Sequence, residues 1–186
     1  MTKERYKSKR APESVPPVAP LWGLLGLVFL LCSGCGVYST TPGSLPSHIK
    51  TISIPTFENL TTEVNLEQEV SQAVVDRFVA DNNLRVVNED EADAVLTGAV
   101  IGYKNAIFGF TANVVAEEYR VSVTVSVKLF DKVKNREIWR NESMTKTWNY
   151  YVQDVPGQEA QDERTGRSEA ILKIADEILS KTVDTW

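Results

Sequence analysis

Beyond residue 35 the sequence contains no cysteine; the only two, Cys32 and Cys35, stand near its start. A domain built from residues 36–186 has no disulfide, no thiol nucleophile and no cysteine metal site. Histidine is equally scarce, with His48 alone in the chain. A lone histidine at the edge of a domain reads as a solvated side chain rather than a catalytic base. Positive charge is also in short supply. The chain has 20 Lys/Arg against 25 Asp/Glu; residues 1–34 take five and two of these, leaving 15 against 23 and a net charge of −8. Nonspecific nucleic-acid binding needs a basic face and is excluded, although a local basic patch is not.

Catalytic signatures are missing as well. There is no GxSxG, HExxH, phosphate-cradling glycine loop or dinucleotide fingerprint. Gly98 and Gly102 lie inside a strand pattern rather than at a strand-to-helix turn. Neighbours on a strand point to opposite faces, so Glu117 and Glu118 do not pair as acid and base. The acidic run at residues 88–93, NEDEAD, reads as a solvated turn rather than a metal site. The expectation is a protein that is not an enzyme and that holds no metal or cofactor.

No apolar run reaches the roughly 20 residues of a membrane-spanning helix. The longest, LWGLLGLVFLL at residues 21–31, follows a basic stretch with Lys3, Arg5, Lys7, Lys9 and Arg10 and a spacer rich in proline. This order is that of a secretory leader. Ser33 and Gly34 are small and Cys35 comes next, so the segment resembles a bacterial lipobox, with Cys32 where leucine is usual. Leu31 is too large to precede a lipidated Cys32. The expectation is a signal peptide at 1–34, a lipidated tether at 35–48 and one α/β domain at 49–186. Three acyl chains, at about 0.8 kcal/mol per buried methylene, would hold such a protein firmly on a bilayer. Gly36, rather than Asp, after the cysteine favours the outer membrane, facing the periplasm.

The domain begins with a strand across residues 49–54, ending near Pro55. A helix follows, capped by Asn59, Thr61 or Thr62, with Glu63 in its first turn and a core stripe of Leu66, Val70, Ala73, Val74 and Phe78. A short apolar piece at 84–87 comes next. The covered strand over 92–103 leads into an aromatic-tipped turn at 105–113. The clearest strand alternates Tyr119, Val121, Val123, Val125, Val127 and Leu129 with Arg120, Ser122, Thr124, Ser126, Lys128 and Phe130. Its period of two packs one face and leaves the other polar. After the basic turn KVKNRE, a strand returns over 137–148, and a long loop over 149–165 precedes the last helix. In that helix Ile171, Ala175, Ile178 and Thr182 share a stripe with Leu172, Leu179 and Val183. The fold class is α/β (α+β), a two-layer sandwich with one sheet face free. Candidate ligand contacts are Arg120 and Lys128 on the polar strand face and Lys132, Lys134 and Arg136 in the turn, because Lys and Arg form charge-assisted bonds to phosphate oxygens.

Cys35-Gly36 with Tyr38 nearby, IKTISIPTFEN, NLEQEV, EADAVLTGAVIGY, and EYRVSVTVSVKLFD before a turn ending in REIW together resemble the LptE family of lipopolysaccharide-assembly lipoproteins. The resemblance implies a four-stranded, mixed or largely antiparallel sheet with two helices on one side. It also implies a partner, an LptD-like outer-membrane β-barrel whose lumen the protein plugs, and contact with lipopolysaccharide on its way to the cell surface. The alternative is an accessory lipoprotein of another outer-membrane secretion or assembly channel.

Overall fold

The computed structural model describes residues 45–110, 116–154, 156–157 and 159–183. The leader, Cys35 and the tether as far as residue 44 lie outside them. In chain order the elements are β1 (Thr51–Ser53), β2 (Glu58–Asn59), α1 (Leu66–Asp81), β3 (Arg85–Val86), a 3-10 turn (Glu89–Glu91), β4 (Ala94–Phe110), β5 (Ala116–Asp131), β6 (Arg136–Tyr151) and α2 (Glu163–Val183). The sheet runs β3-β1-β4-β5-β6, with β2 paired to β4 beyond β1. The central long strand β5 is antiparallel to both β4 and β6, whereas the short strands join in parallel.

The sheet is therefore mixed, as expected, but has six strands rather than four. The two extra strands, β2 and β3, are two residues each. No period can show in so short a piece, and only their pairing reveals them. The lead-in also joins the domain early. Leu45 packs against the core, and the Ile49 amide donates to the Pro46 carbonyl at 2.9 Å.

β5 follows its sequence pattern closely. Val121, Val123, Val125, Val127 and Leu129 are buried, and the residues between them are half-buried on the other face. Both helices cover the valine face. α1 contributes Leu66, Val70, Val74 and Phe78; α2 contributes Ala170, Ile171, Ile174, Ala175 and Ile178. Each such aliphatic or aromatic side chain, fully buried, is worth about 1.5–3 kcal/mol. The α2 stripe differs from its expected centre. Ile174 is fully buried, while Leu172, Leu179 and Val183 sit at the margin.

Three boundaries move. α1 begins at Leu66, with Asn65 in the cap position at φ 64° and no side-chain cap bond. Asn59, expected to cap the helix, is bound into the sheet as β2 and builds a turn instead. Its Oδ1 accepts the Thr61 amide at 3.0 Å, and its Nδ2 donates to the Glu63 carbonyl at 2.7 Å. Of the stretch expected as a turn at 105–113, residues 105–110 are strand, because β4 pairs with β5 as far as Phe110 opposite Ala116, and 111–113 lie outside the described residues. Finally, Asn149, Tyr150 and Tyr151, read as loop, complete β6. Tyr150 is buried and stacks on Tyr119 at 5.6 Å.

Close approach explains Gly98. Phe57, buried ahead of α1 with its amide donating to Ser71 Oγ at 2.8 Å, lays its ring directly over this glycine. A Cβ there would overlap the ring. Gly98→Ala should destabilise the domain by about 1–3 kcal/mol, the cost of overpacking a filled core. Urea-unfolding midpoints measure this, and a midpoint equal to that of the unmodified chain would show that Phe57 moves aside freely.

Candidate functional site

The polar face of the sheet is built by strand alternation. Ser122, Thr124 and Ser126 on β5 stand beside Thr145 and Thr147 on β6 and Thr97 on β4. Thr124 and Thr145 share a hydrogen bond at 2.9 Å. This face lies opposite the helices. It offers hydroxyls and two of the candidate cations, Arg120 and Lys128.

Those two cations stand eight residues apart on one strand, roughly 26 Å at the usual rise. Lys128 lies opposite Arg140, whose guanidinium is already held by Glu137 at 2.6 Å and Glu142 at 3.1 Å. Arg120 has a different setting. Its guanidinium lies 3.4 Å from the centre of the Phe108 ring, and its Nε donates to Asn149 Oδ1 at 2.7 Å. Asn149 Nδ2 in turn donates to Glu118 Oε1 at 2.7 Å. The cation is thus fixed against an aromatic face, an attractive arrangement worth about 0.5–1 kcal/mol at an exposed site.

Around Arg120 the sheet leaves the cover of the helices. No β4 residue after Val100 is buried. Beyond Tyr151 opposite Glu118, only β4 and β5 continue, as a two-stranded ribbon. Ile107 and Phe108, level with the last β5–β6 pairs, and Phe110, on the ribbon itself, are 47 %, 50 % and 59 % exposed. A fixed cation beside uncovered aromatic and aliphatic side chains suits an amphiphile with an anionic head and apolar chains. The sequence showed the aromatic tips but not their union with Arg120. Ribbon residues exposed on both faces carry no hydrophobic alternation.

The remaining candidates lie at the opposite end, in the turn between β5 and β6. The Lys132 side chain donates to the Glu89 carbonyl, and Arg136 Nε stands 3.8 Å from Asp131 Oδ2. Val183 of α2 lines a hollow at this end with Leu45, Asn83 and Leu84, so both helices direct their C-terminal, partly negative ends here. Glu89, Asp90 and Glu91 are exposed nearby. The five candidate residues therefore do not form one site, and this end is less favourable to an anion than the triplet of cations promised.

Asp131 anchors that end. Its carboxylate is fully buried, accepts the Lys134 amide at 2.9 Å and meets His48 Nε2 at 2.9 Å. Asn135, at φ 49°, closes the turn. The only histidine is thus a structural partner rather than a free edge residue. Among the described residues, no group of three or more His, Cys, Asp or Glu is arranged to hold a metal ion.

The profile of the LptE family, described as lipopolysaccharide-assembly, matches residues 49–182. The chain belongs to the LptE family. No curated protein sequence matches it significantly. Among solved structures, the PelC dodecamer from Paraburkholderia phytofirmans aligns with a TM-score of 0.52 at 17 % identity, covering 77 % of this chain and 96 % of that one. A single-substitution variant of the same protein gives 0.50 at 15 %, covering 78 % and 96 %. A rare lipoprotein B from Shewanella oneidensis gives 0.44 at 14 %, covering 70 % and 92 %. The two PelC structures speak for the fold alone. Family membership places the domain's role in lipopolysaccharide assembly.

Burial pushes the Asp131 carboxyl up, but the Lys134 amide, His48 and the Val133 amide outweigh it and hold the group below the usual carboxylate range. A group depressed in the folded state stabilises above its unfolded value near 3.9 and loses that contribution as pH falls through the folded value. Asp131→Asn should therefore cost about 1–3 kcal/mol near neutral pH. It should also narrow the difference in urea midpoint between neutral and strongly acid solution. A variant as acid-sensitive as the unmodified chain would assign that sensitivity to other carboxylates.

Proposed function

We propose that this chain is an outer-membrane lipoprotein, cut before Cys35 and held by lipid on that residue. Its domain occupies the lumen of an LptD-like β-barrel, supports that barrel and meets lipopolysaccharide on its way to the outer leaflet. The part played is binding and positioning, not catalysis. Arg120 over Phe108, beside exposed Ile107 and Phe110, is the observation that carries the reading. Lipopolysaccharide joins phosphate groups to acyl chains, and this end of the domain offers a fixed guanidinium and bare apolar side chains together. The hydroxyl-lined sheet face fits a water-lined barrel interior. Arg120 is the leading ligand contact, with Lys128 further along the same face. Lys132, Lys134 and Arg136 take a secondary part, because Glu89 and Asp131 already engage two of them.

The test is purification of the tagged protein from its own outer membrane in mild detergent, with mass spectrometry of what stays bound. A large β-barrel protein and lipopolysaccharide are expected in the same fraction. Arg120→Glu should lower the bound lipopolysaccharide roughly tenfold, the value of one charge-assisted contact. Replacing Lys132, Lys134 and Arg136 together should lower it less. A different channel in the fraction, or no barrel, would overturn the reading.

A further inference from the structure

We propose that His48 is a strain-relief clasp, which ties the N-terminal lead-in to the central strand β5 and so shields β1 from tension on the tether. The proposal rests in part on the reading of Cys35 as a membrane anchor, since the anchor is the source of the tension.

β1 is the first strand the chain enters, and it is only three residues long. It pairs with β4 at two positions and with β3 at two. Tension arriving directly at Ile49 would strip so short a strand from the sheet one bond at a time. β5 is the opposite case. It has 16 residues, lies between β4 and β6, and is paired along nearly its whole length.

His48 joins the two just before β1 begins. Its Nε2 lies 2.9 Å from Oδ2 of Asp131, the last residue of β5, 83 positions away in sequence. Asp131 is not free to move with it. Its other oxygen accepts the Lys134 amide, the adjoining Lys132 amide donates to the Asp93 carbonyl at 2.9 Å, and the whole carboxylate is buried. Pull on the chain ahead of residue 48 therefore passes through the imidazole to the end of β5. A second stop supports it. Asp93 Oδ2 accepts the Lys50 and Thr51 amides at 2.9 and 3.0 Å, and the Asp93 amide donates to Thr51 Oγ1 at 2.9 Å. His48 thus acts as a positioning residue through Asp131.

Hydrogen exchange on the full chain, read peptide by peptide, tests the clasp. His48→Ala should speed exchange in residues 46–53 and 131–136 roughly tenfold, the loss of one charge-assisted bond, while the amides of residues 121–129 stay at their original rates. His48→Gln, which keeps a side-chain N–H donor, should restore most of the protection. Unchanged exchange in His48→Ala, or an equal rise throughout β5, overturns the proposal; the latter would mark a general loss of stability. Palmitate labelling of the same chain separates the two readings. Absence of label would sink the anchor at Cys35, while the exchange pattern would still decide whether His48 closes the junction.

Discussion

The two-residue period of β5 is the constraint on which the rest depends. Five apolar side chains, Val121, Val123, Val125, Val127 and Leu129, go to the helix side and are buried. Slipping the strand by one residue would turn all of them to water and bury Arg120 and Lys128 in their place. At about 1.5–3 kcal/mol for each side chain exposed, the slip is prohibitive for a domain of ordinary stability. With β5 fixed, its neighbours inherit their faces from the pairing. Asn149 and Thr145 then fall on the polar side, Met144 and Tyr150 on the covered side. The setting of Arg120 against Phe108 and Asn149 is a consequence of packing on the opposite face.

A difference in rise between helix and strand produces the exposed ribbon. β4 has 17 residues and spans roughly 55 Å, while α1 with 16 spans about 24 Å and α2 with 21 about 31 Å. Two parallel helices of those lengths cannot cover such strands. They start near Tyr103 and Tyr150, where the Tyr103 hydroxyl donates to Glu163 and the Tyr150 ring lies against Gly166. Past that level the strands continue uncovered. A two-stranded ribbon alone is marginal in water. Phe110 stands on it, and Ile107 and Phe108 are exposed just before it, so the proposed barrel partner would cover apolar side chains at this end.

Legibility in the sequence followed the physics of each signal. β5 and the stripe of α1 could be read directly, because a repeated period over many residues outweighs local exceptions. Apart from Cys35-Gly36 and Tyr38, the family resemblance rested on segments within residues 49–182, the stretch that the family profile matches. β2 and β3 could not be read, since two paired residues have no period. Asn105–Phe110 looked like a turn because Asn, Gly and aromatic residues dominate where neither face is buried; strand pairing overrode that preference. Asn59 was read as a cap for its amide side chain, and the amide does bind backbone, but in a turn that precedes the helix. The cations were legible as residue types. Their partners were not, because Arg120–Asn149 and Lys132–Glu89 join positions 29 and 43 apart in sequence.

The two ends of the domain are chemically unlike because the chain enters at one and both helices begin at the other. At the entry end, Asp131 gathers His48, the Lys134 amide and Arg136 around one buried carboxylate. Its charge is spent on holding the fold, and the cations beside it are drawn inward. At the ribbon end no carboxylate among the described residues is buried, and Arg120 is oriented by an amide and a ring that leave it half-buried. The same residue type therefore serves two purposes. Arg136 helps to neutralise a buried acid, whereas Arg120 presents its charge outward at the end where apolar side chains have no cover. Counting cations in the sequence favoured the turn between β5 and β6; following where each charge is already balanced favours the ribbon.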